Sequence, residues 1–287
     1  MSHEKSIAFL ARTEEERLLL AHTEDLLARS EGSIVSGEFL NLGEQYLVRA
    51  FLTQCGKTEN TDYFFFGGYP AAERRMLFLF PSYIADTLQY LSDDTDGNSG
   101  QTDARVSLCR EEGCIRALKI VGSGYRELSH RDYLGSLLAL GIERSVIGDI
   151  AVLDGHTAVL FVRAAMAEYL NTALERIGAD KIHIRALSDE EGMQTPDTRR
   201  WETFSDTVAS LRLDGIVAAA VNLSRDKAKQ LVSGGMVDVD FRPCDAPDTE
   251  LTPGRYLSVR GYGRYLFSDV DGTSKKGRIR IRIKKLV

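Results

Sequence analysis

The sequence predicts an α+β protein of two or three domains along 287 residues. Three observations carry that reading. Helical-period apolar patterns near the N-terminus give way to short β-type runs. A regular β-α-β-β-α-β succession follows in the middle. The end of the chain is a basic helix-and-strand segment that closes in strict alternation.

Apolar residues make up 43% of the chain and charged residues 27%, ordinary values for a globular protein with its own core. The four cysteines (Cys55, Cys109, Cys114, Cys244) form no C-x-x-C, and the five histidines (His3, His22, His130, His156, His183) form no H-x-x-x-H. No metal and no cofactor is expected, and the thiols fit a reducing compartment. The longest apolar run, Gly215 to Val221, has seven residues, far short of the roughly 18 to 20 of a membrane span. The N-terminal stretch has no apolar core or cleavage site of a leader. A cytoplasmic protein with no membrane partner, expected to be a monomer, is the reading.

The elements are justified in chain order. Residues 11–29 carry Leu18, Leu19, Leu26 and Leu27 near helical spacing, stopped by Gly32. A second helix is expected over 40–54, ended by Gly56. Strands follow at 62–66 and 75–80 around a Gly67-Gly68 turn, closed by Pro81. The polar stretch SDDTDGNSGQTD, 92–103, reads as the first boundary. Strands are then expected at 105–109 and 115–121. A helix at 129–140 is capped by Ser129 and stopped by Gly141, strands at 149–153 and 158–162 flank Asp154-Gly155, and a helix at 165–176 leads to a strand at 181–187. Counted from Ile115, this is the ferredoxin-like, RRM-like split unit. Residues 188–204 are polar, contain Pro196, and read as the second boundary. Helices at 205–220 and 224–233 follow, then strands at 236–241, 255–260, 263–268 and 278–285. The domains expected are 1–100 (helical/β), 101–190 (ferredoxin-like) and 205–287.

Three motifs invite chemistry and lack its context. Gly122-x-Gly124 follows a strand without the third glycine of a dinucleotide loop. His130-Arg131-Asp132 lacks the Asn of a kinase catalytic loop, because Leu137 stands there, and Asp132 reads better as the capping-box partner of Ser129. Arg212-Leu213-Asp214-Gly215 looks like the catalytic stretch of pseudouridine synthases but runs on into IVAAAV, a helix interior. No catalytic constellation stands out, and no enzyme is expected.

Charge is the stronger signal. Residues 210–287 hold 15 Lys/Arg against 9 Asp/Glu, net +6, while residues 1–209 hold 21 against 33, net −12. A polyanion-binding end on an acidic body is the reading. Within the basic end, Ser224 caps a short helix on which Ala228, Leu231 and Val232 form an apolar face. Arg225 and Lys229 sit at i and i+4 along its edge, and with Arg212 on the preceding helix they would form a groove for phosphates. In the closing KKGRIRIRIKKLV, period two puts Ile279, Ile281 and Ile283 on one face and Arg278, Arg280, Arg282 and Lys284 on the other. The ladder reads either as charge protecting a sheet edge or as a phosphate-contacting face.

The ordered series R-L-D, L-S-R, A-x-x-L-V and G-G-x-V-x-V from Arg212 to Val239, followed by LSVRGYGRYLF, resembles the S-four (αL) RNA-binding domain. With LSHRDYLGSLLALGIERSVIGDI at 128–150 and FFFGGYPAAERRML upstream, the chain is similar to the YlmH family of bacterial S-four proteins. That resemblance implies a non-enzymatic protein that binds rRNA or tRNA on the large ribosomal subunit. It further implies a role in ribosome quality control, holding a peptidyl-tRNA while stalled chains are tailed. The candidate RNA contacts are Arg212, Ser224, Arg225, Lys227, Lys229, Arg260, Arg264, Lys275, Lys276, Arg278, Arg280 and Arg282. The central unit, lacking an aromatic-rich RNP signature, is expected to be a scaffold. The alternatives are an RNA-modifying enzyme that uses the basic domain for delivery, and an interaction protein linked to cell division.

Overall fold

The computed structural model describes residue 7 and residues 9–93, 104–275 and 277–287. The chain divides into two compact units, Met1–Thr198 and Arg199–Val287. The expected linker at 92–103 lies almost wholly outside the described residues.

The first unit opens with helix α1 (Glu14–Arg29). The Thr13 side chain accepts from the Glu16 amide, and Glu14, Glu15 and Glu16 lie in the first turn with Arg29 in the last, charges that suit the helix dipole. Strand β1 (Val35–Leu40) follows where the sequence suggested a loop and a helix start at Leu40. Its VSGEFL carries a polar, glycine-containing centre that hides the pattern. Asn41 and Glu44 then form a capping box, so helix α2 runs Leu42–Gln54. Strands β2 (Tyr63–Phe66) and β3 (Arg75–Leu79) complete a three-stranded antiparallel sheet in the order β1-β3-β2. Helix α3 (Ser82–Asp93) was not foreseen.

Residues 104–111 form helix α4 (Ala104–Glu111), not the expected strand. Val106 and Leu108 mimic period two, but Val106 and Cys109 lie one turn apart and both join the aromatic cluster around Phe66 and Phe78. Next come β4 (Ile115–Gly122), α5 (His130–Ala139), β5 (Ile147–Val152), β6 (Thr157–Arg163), α6 (Ala164–Ala173), a two-residue β7 (Arg176–Ile177), β8 (Asp180–Ala186) and a short helix α7 (Asp189–Met193). The Ser129–Asp132 capping box at the start of α5 is present. The sheet order is β5-β6-β4-β8-β7, with antiparallel neighbours. Leu118, Ile120, Leu160 and Val162 face Tyr133, Leu137 and Leu170 of the two helices.

The opposite sheet face is covered by the chain's own N-terminal part. Tyr69 stacks on Phe161 at 4.6 Å between centroids and 12° between planes. The Asp149 carboxylate accepts from the Tyr69 hydroxyl (2.9 Å) and from the amides of Glu73 (2.7 Å) and Arg74 (2.9 Å). Buried Arg74 donates to the carbonyls of Phe39, Arg144 and Ile147. Gly68 makes the approach feasible: its φ is +96°, and a Cβ there would lie 2.4 Å from Phe161 Cδ1. Gly68→Ala is therefore expected to lower this unit's stability by about 2–4 kcal/mol, from backbone strain plus overpacking. Urea unfolding would measure it, and an unshifted midpoint would rule the contact unimportant.

The second unit is a six-stranded sheet backed by two helices. Strand β9 (Trp201–Val208) is followed by α8 (Leu213–Val221), α9 (Arg225–Ser233), β10 (Val237–Val239), β11 (Arg242–Pro243), β12 (Arg255–Val259), β13 (Gly263–Thr273) and β14 (Ile279–Leu286). Their order is β11-β10-β12-β13-β14-β9. Residues 201–208, read as a boundary and the start of a helix, are instead an edge strand. On its core side WETFSDTV offers only buried Val208 and half-buried Phe204, with exposed Asp206 between them, too mixed a run to signal a buried face. In consequence β14 is an interior strand, paired with β13 on one side and with β9 from Ile279↔Val208 to Leu286↔Trp201 on the other. The edge-protection reading of the basic tail is overturned, because the tail is not an edge. Ile281 and Ile283 are fully buried against α8 and α9, as the alternation requires.

Candidate nucleic-acid interface

The helix pair is set by its caps. Arg212 is the N-cap of α8, whose first amides donate outward: Leu213 to Thr249 O (2.8 Å) and Asp214 to Pro247 O (3.0 Å). The helix ends at Asn222 in the left-handed region (φ 53°), whose short polar side chain tolerates that turn. Two residues on, Ser224 accepts from the Lys227 amide and opens α9, as expected. Ala228 and Val232 bury the inner face of α9 and leave Arg225, Lys227 and Lys229 exposed.

The residue missed by sequence reasoning is Asp214. It is buried, at 3% exposure, in the first turn of α8. Arg225 grips it with two bonds of 3.1 Å, Nε to Oδ2 and Nη2 to Oδ1, and Arg212 adds two longer contacts of 3.4 Å. Burial pushes the Asp214 carboxyl up, but the hydrogen bonds from Arg225 and then Arg212, with their charges, outweigh it, and the net pKa lies below the usual aspartate value. The same bonds raise the Arg225 guanidinium. The carboxylate thus fixes two guanidiniums whose remaining N–H groups can reach phosphates. The R-L-D spacing with L-S-R eleven residues after the Asp was the available signal, had Asp214 been given a role as an anchor.

A cleft of about 330 Å³ extends the site. Arg225 and Arg278 line it, with Thr207, Ser210 and Asn222 among the other walls. Arg278 is held in turn by Thr207, Nη2 to the carbonyl at 2.6 Å and Nε to Oγ1 at 3.1 Å. The structure therefore brings Arg212, Arg225 and Arg278 to one side. It places Arg280 and Arg282 on the outer sheet face, opposite Thr207 and Ser205 of β9. Arg282 pairs with Asp269 (3.4 Å) and Asp271 (2.7 Å). Arg264 lies over the Phe241 ring, Arg260 is exposed in the β12–β13 turn, and Lys275 is exposed. Lys276 lies outside the described residues. Groove and ladder are thus separate surfaces of one sheet. Among the described residues no group of His, Cys, Asp and Glu could hold a metal, and no helix is long and apolar enough to cross a membrane.

An α+β chain with a β-α-β-β-α-β sheet and a cation-bearing helix pair falls in the class of modular proteins built like RNA-binding domains. Residues 116–191 match a family model described as "Putative RNA-binding domain in YlmH". The chain is 28% identical over 249 residues, 86% of each protein, to "Ribosome-associated protein quality control protein P2" of Bacillus subtilis (strain 168). It is thus similar to proteins of the YlmH family. A solved "Cell division protein ylmH from Streptococcus pneumoniae" overlaps 64% of this chain and 98% of its own length, at 16% identity and TM-score 0.45.

Proposed function

We propose that this chain binds RNA on the ribosome and works in ribosome quality control, its C-terminal unit gripping structured rRNA or tRNA of the large subunit as an S-four domain does. The observation that carries the reading is the Asp214 clamp, which holds Arg212 and Arg225 ready beside exposed Lys227 and Lys229. The name of the relative, a ribosome-associated quality control protein, supports the setting. The protein acts without catalysis. Asp214, the residue a pseudouridine synthase reading would use, is engaged by two guanidiniums and is not presented as a nucleophile. The ferredoxin-like central unit carries the family's RNA-binding description, yet its Phe161 face is occupied by Tyr69. RNA contact there falls to the 122–126 loop, where Tyr125 is 84% exposed.

Purified full-length protein is expected to co-sediment with large ribosomal subunits, with affinity falling steeply as salt rises because phosphate contacts release counterions. Arg225→Ala and Lys229→Ala should each weaken binding and flatten the log–log salt slope by about 0.7–0.9 per lost phosphate contact. Unchanged affinity and slope in both would discard the groove. Isomerisation of uridine by the wild type, lost in Asp214→Asn, would replace the binding reading with an enzymatic one.

A further inference from the structure

The outer face of the C-terminal sheet, turned away from α8 and α9, carries a feature the groove does not use. Tyr256 on β12 meets Trp201 from β9 (centroids 6.4 Å, 50°) and Phe241 from the β10–β11 turn (5.6 Å, 32°). The Arg264 guanidinium lies 5.5 Å from the Phe241 centroid. All three rings are half-buried, so each keeps surface open to solvent.

The turn that delivers Phe241 is strained. Val239 pairs with Arg242, so Asp240 and Phe241 are the two central residues of a tight hairpin, with φ of +46° and +65°. Such turns strongly favour Asn-Gly or Gly-Gly, and a bulky residue in the left-handed region is an outlier. Asp240 is stabilised there by Arg255 and by the Tyr256 amide. A glycine at 241 would relieve the backbone but would carry no ring. Strain held to place one side chain is a mark of a functional position.

Charge on this face says what it would meet. Across the strands the register runs Tyr256↔Leu266↔Lys284, so Lys284 stands two strands from Tyr256, about 10 Å away, and on the strand next to that of Trp201. Arg280 lies two same-face positions further along β14, beyond Arg282. Neither has an ion-pair partner among the described residues, whereas the acids Asp240, Asp269 and Asp271 are paired with Arg255 and Arg282; Asp238, opposite Ser258 on the strand that carries Tyr256, is a further acid of this face. Rings in a row beside unpaired cations are the arrangement by which proteins hold single strands, bases on the rings and phosphates on the cations.

We propose that this outer face is a second RNA surface, a stacking platform for unpaired nucleotides built from Trp201, Tyr256 and Phe241 and flanked by Arg264, Lys284 and Arg280. It rests on the RNA-binding reading above and extends it: the helix groove takes structured RNA, and the platform takes an adjoining single strand. Lys284 and Arg280 of the tail thereby serve the platform, while Arg278 stays with the groove.

The chain's single tryptophan makes the test direct, because Trp201 belongs to the platform. A ribo-oligoadenylate of roughly a dozen nucleotides, within the length range that single-strand folds engage, is titrated into the full-length protein while Trp fluorescence is followed. Quenching is expected. Tyr256→Ala and Phe241→Gly should each weaken the oligoadenylate about tenfold, a middling loss for one stacked base. Phe241→Gly is the sharper variant: its urea midpoint should hold or rise as the strain goes, so lost binding is not lost fold. Arg225→Ala should leave oligoadenylate binding intact while weakening large-subunit binding. If the wild type binds large subunits but oligoadenylate neither quenches Trp201 nor binds, the platform is refuted and the groove stands. If Phe241→Gly binds normally and only its urea midpoint falls, the rings are packing alone and the proposal is likewise overturned. If the wild type binds neither RNA, the RNA reading itself has failed.

Discussion

A chain that stops at Gly277 is expected to lose the cooperative unfolding of its C-terminal unit altogether. The missing segment contains β14, which pairs with β13 and β9 and carries Ile281 and Ile283 into the core with no exposed surface. Truncating a buried Ile or Leu to Ala costs about 2–5 kcal/mol. Two such losses, about 4–10 kcal/mol, rival the whole stability of a small domain, of order 5–15 kcal/mol. Edge strand β9 would also lose its only neighbour in the sheet order. Trp201 lies on β9, so its fluorescence in urea reports the loss. The contrasting substitutions Arg280→Gln and Arg282→Gln touch only the outer face, and their urea midpoints should move by no more than about 0.5 kcal/mol. A shortened chain that keeps the wild-type transition would show that the strand contributes nothing to the fold.

This result separates what the sequence could show of the tail from what it could not. Strict alternation from Arg278 to Ile283 identified the strand and its two faces, and Ile281 and Ile283 face the core as period two demands. Alternation says nothing about neighbours. Whether a strand lies at an edge depends on a partner elsewhere, here β9, whose polar WETFSDTV gave little apolar signal. The same limit hid β1, with its polar centre, and turned α4 into a strand, because eight residues can satisfy either period. Local chemistry was more legible. Ser224, Ser129 and Asp132 cap their helices as read, because a cap is decided within four residues. At the site, the cations of α9 were legible as types at helical spacing. Their anchor was not: Asp214 sits eleven residues before Arg225, and only the packing of α8 against α9 brings them together. The platform was invisible for a like reason, since Trp201, Phe241 and Tyr256 are 40 and 15 residues apart in sequence and meet only through strand order.

Asp214→Asn is expected to weaken RNA binding about as much as Arg225→Ala does, although Asp214 itself carries the wrong charge for RNA. The substitution keeps the size of the side chain but leaves one acceptor oxygen and no charge for the two guanidiniums. Charge-assisted bonds contribute about 1.5–3 kcal/mol each where they are well made. Arg225 is half-exposed and can rehydrate, so a net loss of about 1–3 kcal/mol in the C-terminal unit is expected. With the clamp gone, Arg225 and Arg212 must be ordered by the RNA itself, an entropic cost of about 0.5–1.5 kcal/mol for each immobilised side chain. Acid then distinguishes a clamp from mere packing. The Asp214 carboxyl has its pKa below the ordinary value in the folded protein, so its pairing stabilises the fold at any pH above the unfolded aspartate pKa, about 3.9, and that stabilisation disappears as pH falls through the lower folded value. The gap in urea midpoint between wild type and Asp214→Asn should therefore be full at pH 7, begin to close below about pH 4 and be smallest where Asp214 is protonated in both folded and unfolded chains. A gap of the same size at both pH extremes, together with undiminished large-subunit binding, would mean that Asp214 fills space and positions nothing.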